Sequence, residues 1–146
     1  MLVPVKRILV AASISLLLIS CSGTDDGATT ADGQTQGDAS VRGTVTYRER
    51  IAMPPQSHIE VTIQNISTED SASVIVGKQT ISDPKDVPIA FDVMYESGAI
   101  NDSDTYALQA IIFRDEEIWM SNRETVPVIT QSNPTSGVQV VVEPVR

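Results

Sequence analysis

The run His58-Ile59-Glu60-Val61-Thr62-Ile63-Gln64-Asn65-Ile66 decides the fold. Ile59, Val61 and Ile63 alternate with Glu60, Thr62 and Gln64, and successive side chains of an extended strand point to opposite faces. Strict period-two patterning marks a strand with one face in a core and one in water. The pattern recurs on both sides. Val41 to Tyr47 sets Val41, Val45 and Tyr47 together. Val74 to Ile81 is less regular and is interrupted by Gly77. Val87 to Tyr95 aligns Ile89, Phe91, Val93 and Tyr95. Thr105 to Phe113 places Tyr106, Leu108, Ala110 and Ile112 on one face, with Ile111 and Phe113 on the other. Glu117 to Ser121, the short Thr125 to Ile129, and Val138 to Glu143 complete the set.

Turn signals separate these runs: Met53-Pro54-Pro55, Ser67-Thr68-Glu69-Asp70, Asp83-Pro84, Ser97-Gly98, Asn101-Asp102 and Asn133-Pro134. Arg114-Asp115-Glu116 joins two strands tightly enough to read as a hairpin. Ser71 to Val76 has the length of a helical turn, but its Ser and Val content argues against one. Seven or eight short strands over residues 41–146 predict an all-β fold, an antiparallel immunoglobulin-like β-sandwich.

Upstream of residue 41 the character changes. Residues 22–40, SGTDDGATTADGQTQGDAS, contain no large apolar side chain. Such a stretch has nothing to offset ordering entropy and reads as a flexible tether. With Cys21 it makes a linker over 21–40, and 19 residues of it would reach about 25 Å on average. Residues 1–20 follow the plan of a signal peptide: Lys6 and Arg7, then the apolar run Ile8 to Ile19, then a small residue before the cut. That run has 12 residues, against the roughly 20 a transmembrane helix needs.

Leu18-Ile19-Ser20-Cys21 resembles the lipobox of bacterial lipoproteins. Small Ser20 would fit the signal peptidase, which cuts between Ser20 and Cys21. The Cys21 thiol would take diacylglycerol and its freed amine a further chain such as palmitate. Cys21 is the only cysteine, so no intramolecular disulfide can form. Acyl chains contribute about 0.8 kcal/mol per buried CH₂, and the mature chain is expected to be anchored to a bilayer through acylated Cys21. In enterobacterial-type sorting, Asp after the cysteine retains a lipoprotein in the inner membrane. Ser22 here favours an outer-membrane anchor with the domain in the periplasm.

Loss of the leader leaves eight Lys and Arg against 19 Asp and Glu, a formal charge of −11 compared with −9 for the whole chain. That balance disfavours nucleic acid and anionic lipid head groups as partners.

The residues that carry catalysis are scarce. The single histidine, His58, opens a strand on its polar face and is expected at the surface. Cys21 is consumed by lipid. No Gly-x-Ser-x-Gly, Ser-x-x-Lys or His-Glu-x-x-His occurs, and zinc sites built on His and Cys are excluded by count. Asn101-Asp102-Ser103-Asp104 is rich in oxygen but lacks the spacing of a calcium loop. Asp115-Glu116-Glu117 reads as an exposed hairpin tip, and Asp92 with Glu96 as part of a polar face. Neither metal, cofactor nor catalytic residue is expected.

Two features fit binding better. Trp119, the only tryptophan, lies between Ile118 and Met120. If those two point inward, Trp119 faces outward or into a groove, where large aromatics anchor partners; burial on both sides of the strand is the equal alternative. Val138, Val140 and Val142 form a final valine-rich strand that could accept another chain by β-addition if it lies at an edge.

Four stretches together resemble a known family: Gly43-Thr44-Val45-Thr46-Tyr47-Arg48-Glu49-Arg50 running into Met53-Pro54-Pro55; Ile59 to Asn65; Val87-Pro88-Ile89-Ala90-Phe91 with Tyr95; and Tyr106 to Ile112 followed by Ile118-Trp119-Met120. In this order they resemble the YbaY-like lipoproteins, which group with the type III secretion lipoprotein chaperones, or pilotins, of the YscW type. The resemblance implies a β-sandwich and a periplasmic lipoprotein, with a pilotin role as its weaker implication. The expectation is a non-catalytic envelope lipoprotein that binds a protein or peptide partner in envelope assembly. The alternatives are a polysaccharide-binding or polysaccharide-processing lipoprotein, for which Trp119 would floor a cleft ringed by carboxylates, and a purely structural lipoprotein without a dedicated ligand.

Overall fold

A computed structural model describes residues 33–68 and 72–146. The leader over 1–20, Cys21 and the first part of the linker lie outside the described residues. The strands are β1 (Ala39–Thr46), β2 (His58–Asn65), β3 (Val74–Ser82), β4 (Ile89–Tyr95), β5 (Tyr106–Arg114), β6 (Glu117–Ser121), β7 (Val126–Val128), β8 (Val138–Val141) and β9 (Glu143–Pro144), with one 3₁₀ turn at Ser97–Ala99. They form two sheets. One has the order β4-β1-β8; the other runs β3-β2-β5-β6-β9, with β7 also paired to β5. The chain is a β-sandwich. Each of the eight runs read from periodicity holds a strand, and β9 continues the last run beyond Val142.

The core follows from the alternation. Val41, Val45, Phe91, Val93, Val138 and Val140 come from the smaller sheet. Ile59, Val61, Ile63, Leu108, Ala110, Ile112 and Met120 come from the larger, and all are buried in one cluster. Full burial of such a side chain contributes about 1.5–3 kcal/mol, and the domain has no disulfide to share that task.

Pairing is antiparallel with one exception. β8 runs parallel to β1, with Gly43 opposite Val138 and Val45 opposite Val140. A parallel pair needs a long connection, and here everything between β1 and β8 supplies it. Gly43 lets the two strands meet, because an added Cβ would fall 1.8 Å from the Val138 carbonyl oxygen.

The ordered body starts earlier than residue 41. Ala39 and Ser40 already belong to β1, and the segment before them is bonded to the domain. The Thr35 N–H donates to the Lys78 carbonyl at 2.8 Å, and the Lys78 N–H donates to Thr35 Oγ1 at 3.0 Å. Gln34 Nε2 donates to the Asp92 carbonyl at 2.8 Å, while the Asp92 N–H donates to Gln79 Oε1 at 2.8 Å. The Asp38 carboxylate accepts from the N–H and hydroxyl of Ser97, each at 2.7 Å. These donors, backbone N–H first, hold the Asp38 carboxyl below its ordinary value. Residues 34–38 thus form a strap that occupies backbone groups on β3 and β4, the outer strands of the two sheets. Unpaired edges invite unwanted pairing, and covering them is a common defence. The strap is the end of the linker expected over 21–40; its polar side chains order because they find partners, not because they bury.

The hairpin between β5 and β6 pairs Arg114 with Glu117. Asp115 and Glu116 form its two-residue loop with φ of 50° and 65°. Positive φ at both positions is the type I′ geometry that favours Asn-Gly, and a glutamate there stands in a backbone region suited to glycine. The double substitution Asp115→Asn with Glu116→Gly is expected to stabilise the domain by about 1 kcal/mol. A higher urea midpoint at unchanged slope would show it; an unchanged or lower midpoint would refute it.

Candidate functional site

The smaller sheet ends at β8, whose only strand neighbour among the described residues is β1. Val138, Val140 and Val142 are buried in the core. The Val142 N–H donates to the Thr46 carbonyl at 2.9 Å. Backbone groups alternate sides along a strand, so the N–H and C=O of Gln139 and Val141 face away from β1. An added strand would therefore meet the backbone of Gln139 and Val141, not the valine side chains. The stretch is short, because β9 turns to pair with β6 in the other sheet. Beside it lies a hollow lined by Arg48, Arg123, Glu124, Val141 and Glu143. Arg123 Nε and Glu143 Oε2 are 3.5 Å apart across it.

Trp119 sits where β6 is irregular. Ile112 pairs with Met120, but Phe113 pairs with Ile118, so the register slips by one residue between them. Such a bulge re-aims side chains. Met120 is fully buried and Ile118 is 51% exposed, so the two do not share the inward face on which the reading of Trp119 was framed. The Trp119 ring is half-buried and meets Tyr47 edge-on, with centroids 6.1 Å apart at 68°. The Tyr47 hydroxyl donates to the Ile51 carbonyl at 2.9 Å. Burial and the charges of Asp86 and Glu49 raise the Tyr47 hydroxyl above its ordinary pKa. Val145 closes the arrangement, its N–H donating to the Trp119 carbonyl at 3.1 Å.

On the outer face of the larger sheet, Gln64, Ile66, Ala107, Leu108, Gln109 and residues 122–125 line a shallow groove of about 170 Å³. Gln64 Nε2 donates to Gln109 Oε1 at 3.0 Å across it. Asn122 spans the break between β6 and β7, its Oδ1 accepting from Ala110 N–H at 2.8 Å and its Nδ2 donating to the Glu124 carbonyl at 2.9 Å. Neither this groove nor the strap was foreseen in the sequence. Asn122 follows the last residue of β6, and that position was the one available signal for the groove.

The titratable residues singled out in the sequence are dispersed. His58 stacks on Phe113, with ring centroids 4.7 Å apart and planes 9° from parallel. Asp92 pairs with Arg42 at 3.0 Å, whereas Glu96 lies beyond the end of β4. Asp104 ties its loop to two other segments: its carboxylate accepts from Asn65 Nδ2 at 2.7 Å, and its carbonyl accepts from Thr130 Oγ1 at 2.6 Å. Among the described residues no group of three or more His, Cys, Asp or Glu is placed to hold a metal. Cys21 and Ser20 lie outside the described residues.

Two sheets joined at their outer strands by a strap, with β8 at an edge and Trp119 half-buried, make up the described domain. The fold is similar to that of an alternative pilotin from the type II secretion system of Vibrio cholerae. The TM-score is 0.66 and the identity 28%, over 72% of this chain and 96% of that one. The chain belongs to the family of type III secretion system lipoprotein chaperones (YscW), whose model matches residues 36–140. No curated protein matches.

Proposed function

We propose that this chain is a membrane-tethered, non-catalytic lipoprotein of the cell envelope that binds a protein component of a secretion machine and assists its assembly. The observation that carries this is the family match over residues 36–140, nearly the whole described domain. The similarity of the sandwich to a type II pilotin supports it. In this reading Cys21 carries the lipid, the anchor is in the outer membrane, the domain stands in the periplasm, and the sandwich supplies the contact. The partner is a protein or peptide segment, and the free edge of β8 at Gln139 and Val141 offers it backbone pairing. A carboxylate-ringed cleft floored by Trp119 would favour the polysaccharide alternative; the Trp119 ring meets Tyr47 edge-on.

The test is affinity purification of the tagged full chain from intact membranes, with a photo-crosslinker at exposed Gln139. A secretion component of the envelope is expected in the eluate, crosslinked at that position. In cells lacking residues 41–146 the same component should fail to assemble in its membrane. An unchanged set of co-purified proteins and normal assembly in the deletion strain would refute the proposal.

A further inference from the structure

We infer that one end of the sandwich rests on the surface of the bilayer, with Ile51, Ile118 and Val145 at the acyl boundary and Arg48, Arg50 and Arg146 among the phosphates of zwitterionic head groups. This rests on the reading of Cys21 as the lipid-bearing residue.

The end in question is the one where β1 leaves its sheet, β2 begins and the β5–β6 hairpin turns. Three large apolar side chains are exposed there: Ile51 at 47%, Ile118 at 51% and Val145 at 51%. They are carried by three segments that meet at the Tyr47–Trp119 pair, through the Tyr47 hydroxyl to Ile51, through β6 itself, and through the Val145 N–H to Trp119. Arg48, Arg50 and Arg146 flank them and are exposed. Apolar side chains, a half-buried tryptophan and arginines are the composition that membrane interfaces select. There the aromatic body is apolar and its N–H wet, and arginine reaches phosphate from a buried stem.

The direction of the tether supplies the second argument. From Asp38 beside Ser97, the strap runs back past Thr35 beside Lys78 to Gly33. A methyl group on Gly33 would stand 3.3 Å from Thr80 Oγ1. From Lys78 through Thr80, β3 runs to Ser82, which pairs with His58 at the same end of the sandwich. Gly33 therefore stands nearer the Ile51 and Trp119 end of β3 than Thr35 does. Cys21 is 12 residues before Gly33, at most about 40 Å at full extension. A lipid on Cys21 lets this end reach the membrane with the shortest span of tether.

The charge selects the lipid. Asp115, Glu116 and Glu117 project at the same end, and the chain without its leader carries −11, so an anionic surface would repel it. A zwitterionic surface offers phosphate to the three arginines without that repulsion.

Trp119 is the sole tryptophan and makes the test direct. The full chain, purified from membranes and weighed by mass spectrometry, is reconstituted in phosphatidylcholine vesicles brominated in the upper acyl chain. Emission from Trp119 is expected to drop relative to bromine-free vesicles and to shift to the blue. Ile51→Asp and Val145→Asp, both at exposed positions, should restore the emission while the protein stays on the vesicles. Val74→Asp, at the opposite end, should leave the quenching in place. Emission indifferent to bromine, or quenching that survives Ile51→Asp and Val145→Asp, overturns the inference. A free Cys21 thiol in the mass spectrum counts against the lipid reading alone. Coupling that thiol to a maleimide lipid then provides the same tether, and the same emission readouts decide the orientation.

Discussion

Gly43→Ala is expected to lower the stability of the domain by about 3 kcal/mol or more, and to lower Tm by at least about 12 °C. The added methyl would stand 1.8 Å from the Val138 oxygen, 2.7 Å from the Val138 carbonyl carbon and 2.8 Å from Phe91 Cζ. A side chain can rotate out of such a contact, but Val138 meets the methyl with its backbone. β8 must then move off β1. Since β1 is the central strand of its sheet, the shift reaches Val138 and Val140, which stand opposite Gly43 and Val45. Gly98→Ala is the matched control. Nothing lies within 4 Å of a Cβ there, and its effect should stay within about 0.5 kcal/mol. Thermal melts of the two variants settle the matter. A Gly43→Ala chain that melts with the parent would show that the β1–β8 approach is looser than described.

Cys21→Ser carries the other large effect, on location instead of stability. If the thiol is acylated, the parent chain should stay in the membrane pellet through high-salt and carbonate washes, because several acyl chains make release negligible on a cellular timescale. The serine variant has no nucleophile for the diacylglycerol and should appear in the soluble envelope fraction, with the domain melting as before. Ser22→Asp should keep the lipid and move the protein to the inner membrane in a host with enterobacterial-type sorting. A serine variant shown to have lost residues 1–20 that still remains in the pellet at the parent's level would refute the anchor, and with it the proposed tethered function.

Local patterning carried most of the fold. Ile59-Glu60-Val61-Thr62-Ile63-Gln64 and Tyr106 to Ile112 each obey period two, and each is a strand with its alternate residues in the core. Two features escaped that logic for different reasons. The parallel contact of β1 with β8 joins residues about a hundred positions apart, and no short-range signal encodes it beyond the bare Gly43. The bulge between Ile112 and Phe113 changes the count by one residue. Ile118 and Met120, two apart in sequence, are therefore one exposed and one buried, and the expectation for Trp119 could not follow from alternation alone. The strap was illegible because Gln34 and Thr35 order through hydrogen bonds to edge strands and Asp38 through Ser97 in the turn after β4, and hydrogen-bonding capacity has no periodicity. Of the binding surfaces, the sequence contained Trp119 and the valine strand; which backbone atoms β8 leaves open became visible only once β1 was placed beside it.

The strap also determines how the domain would bear mechanical load. Thr35 is bonded across to β3 while its chain runs along β3, so a tug delivered at Gly33 acts parallel to the strand axis. The Thr35, Gln34 and Asp38 bonds would then be strained in shear and share the force, where a perpendicular pull would peel them one after another. A passenger dragging on the sandwich while the lipid stays fixed would meet its firmest resistance along that axis.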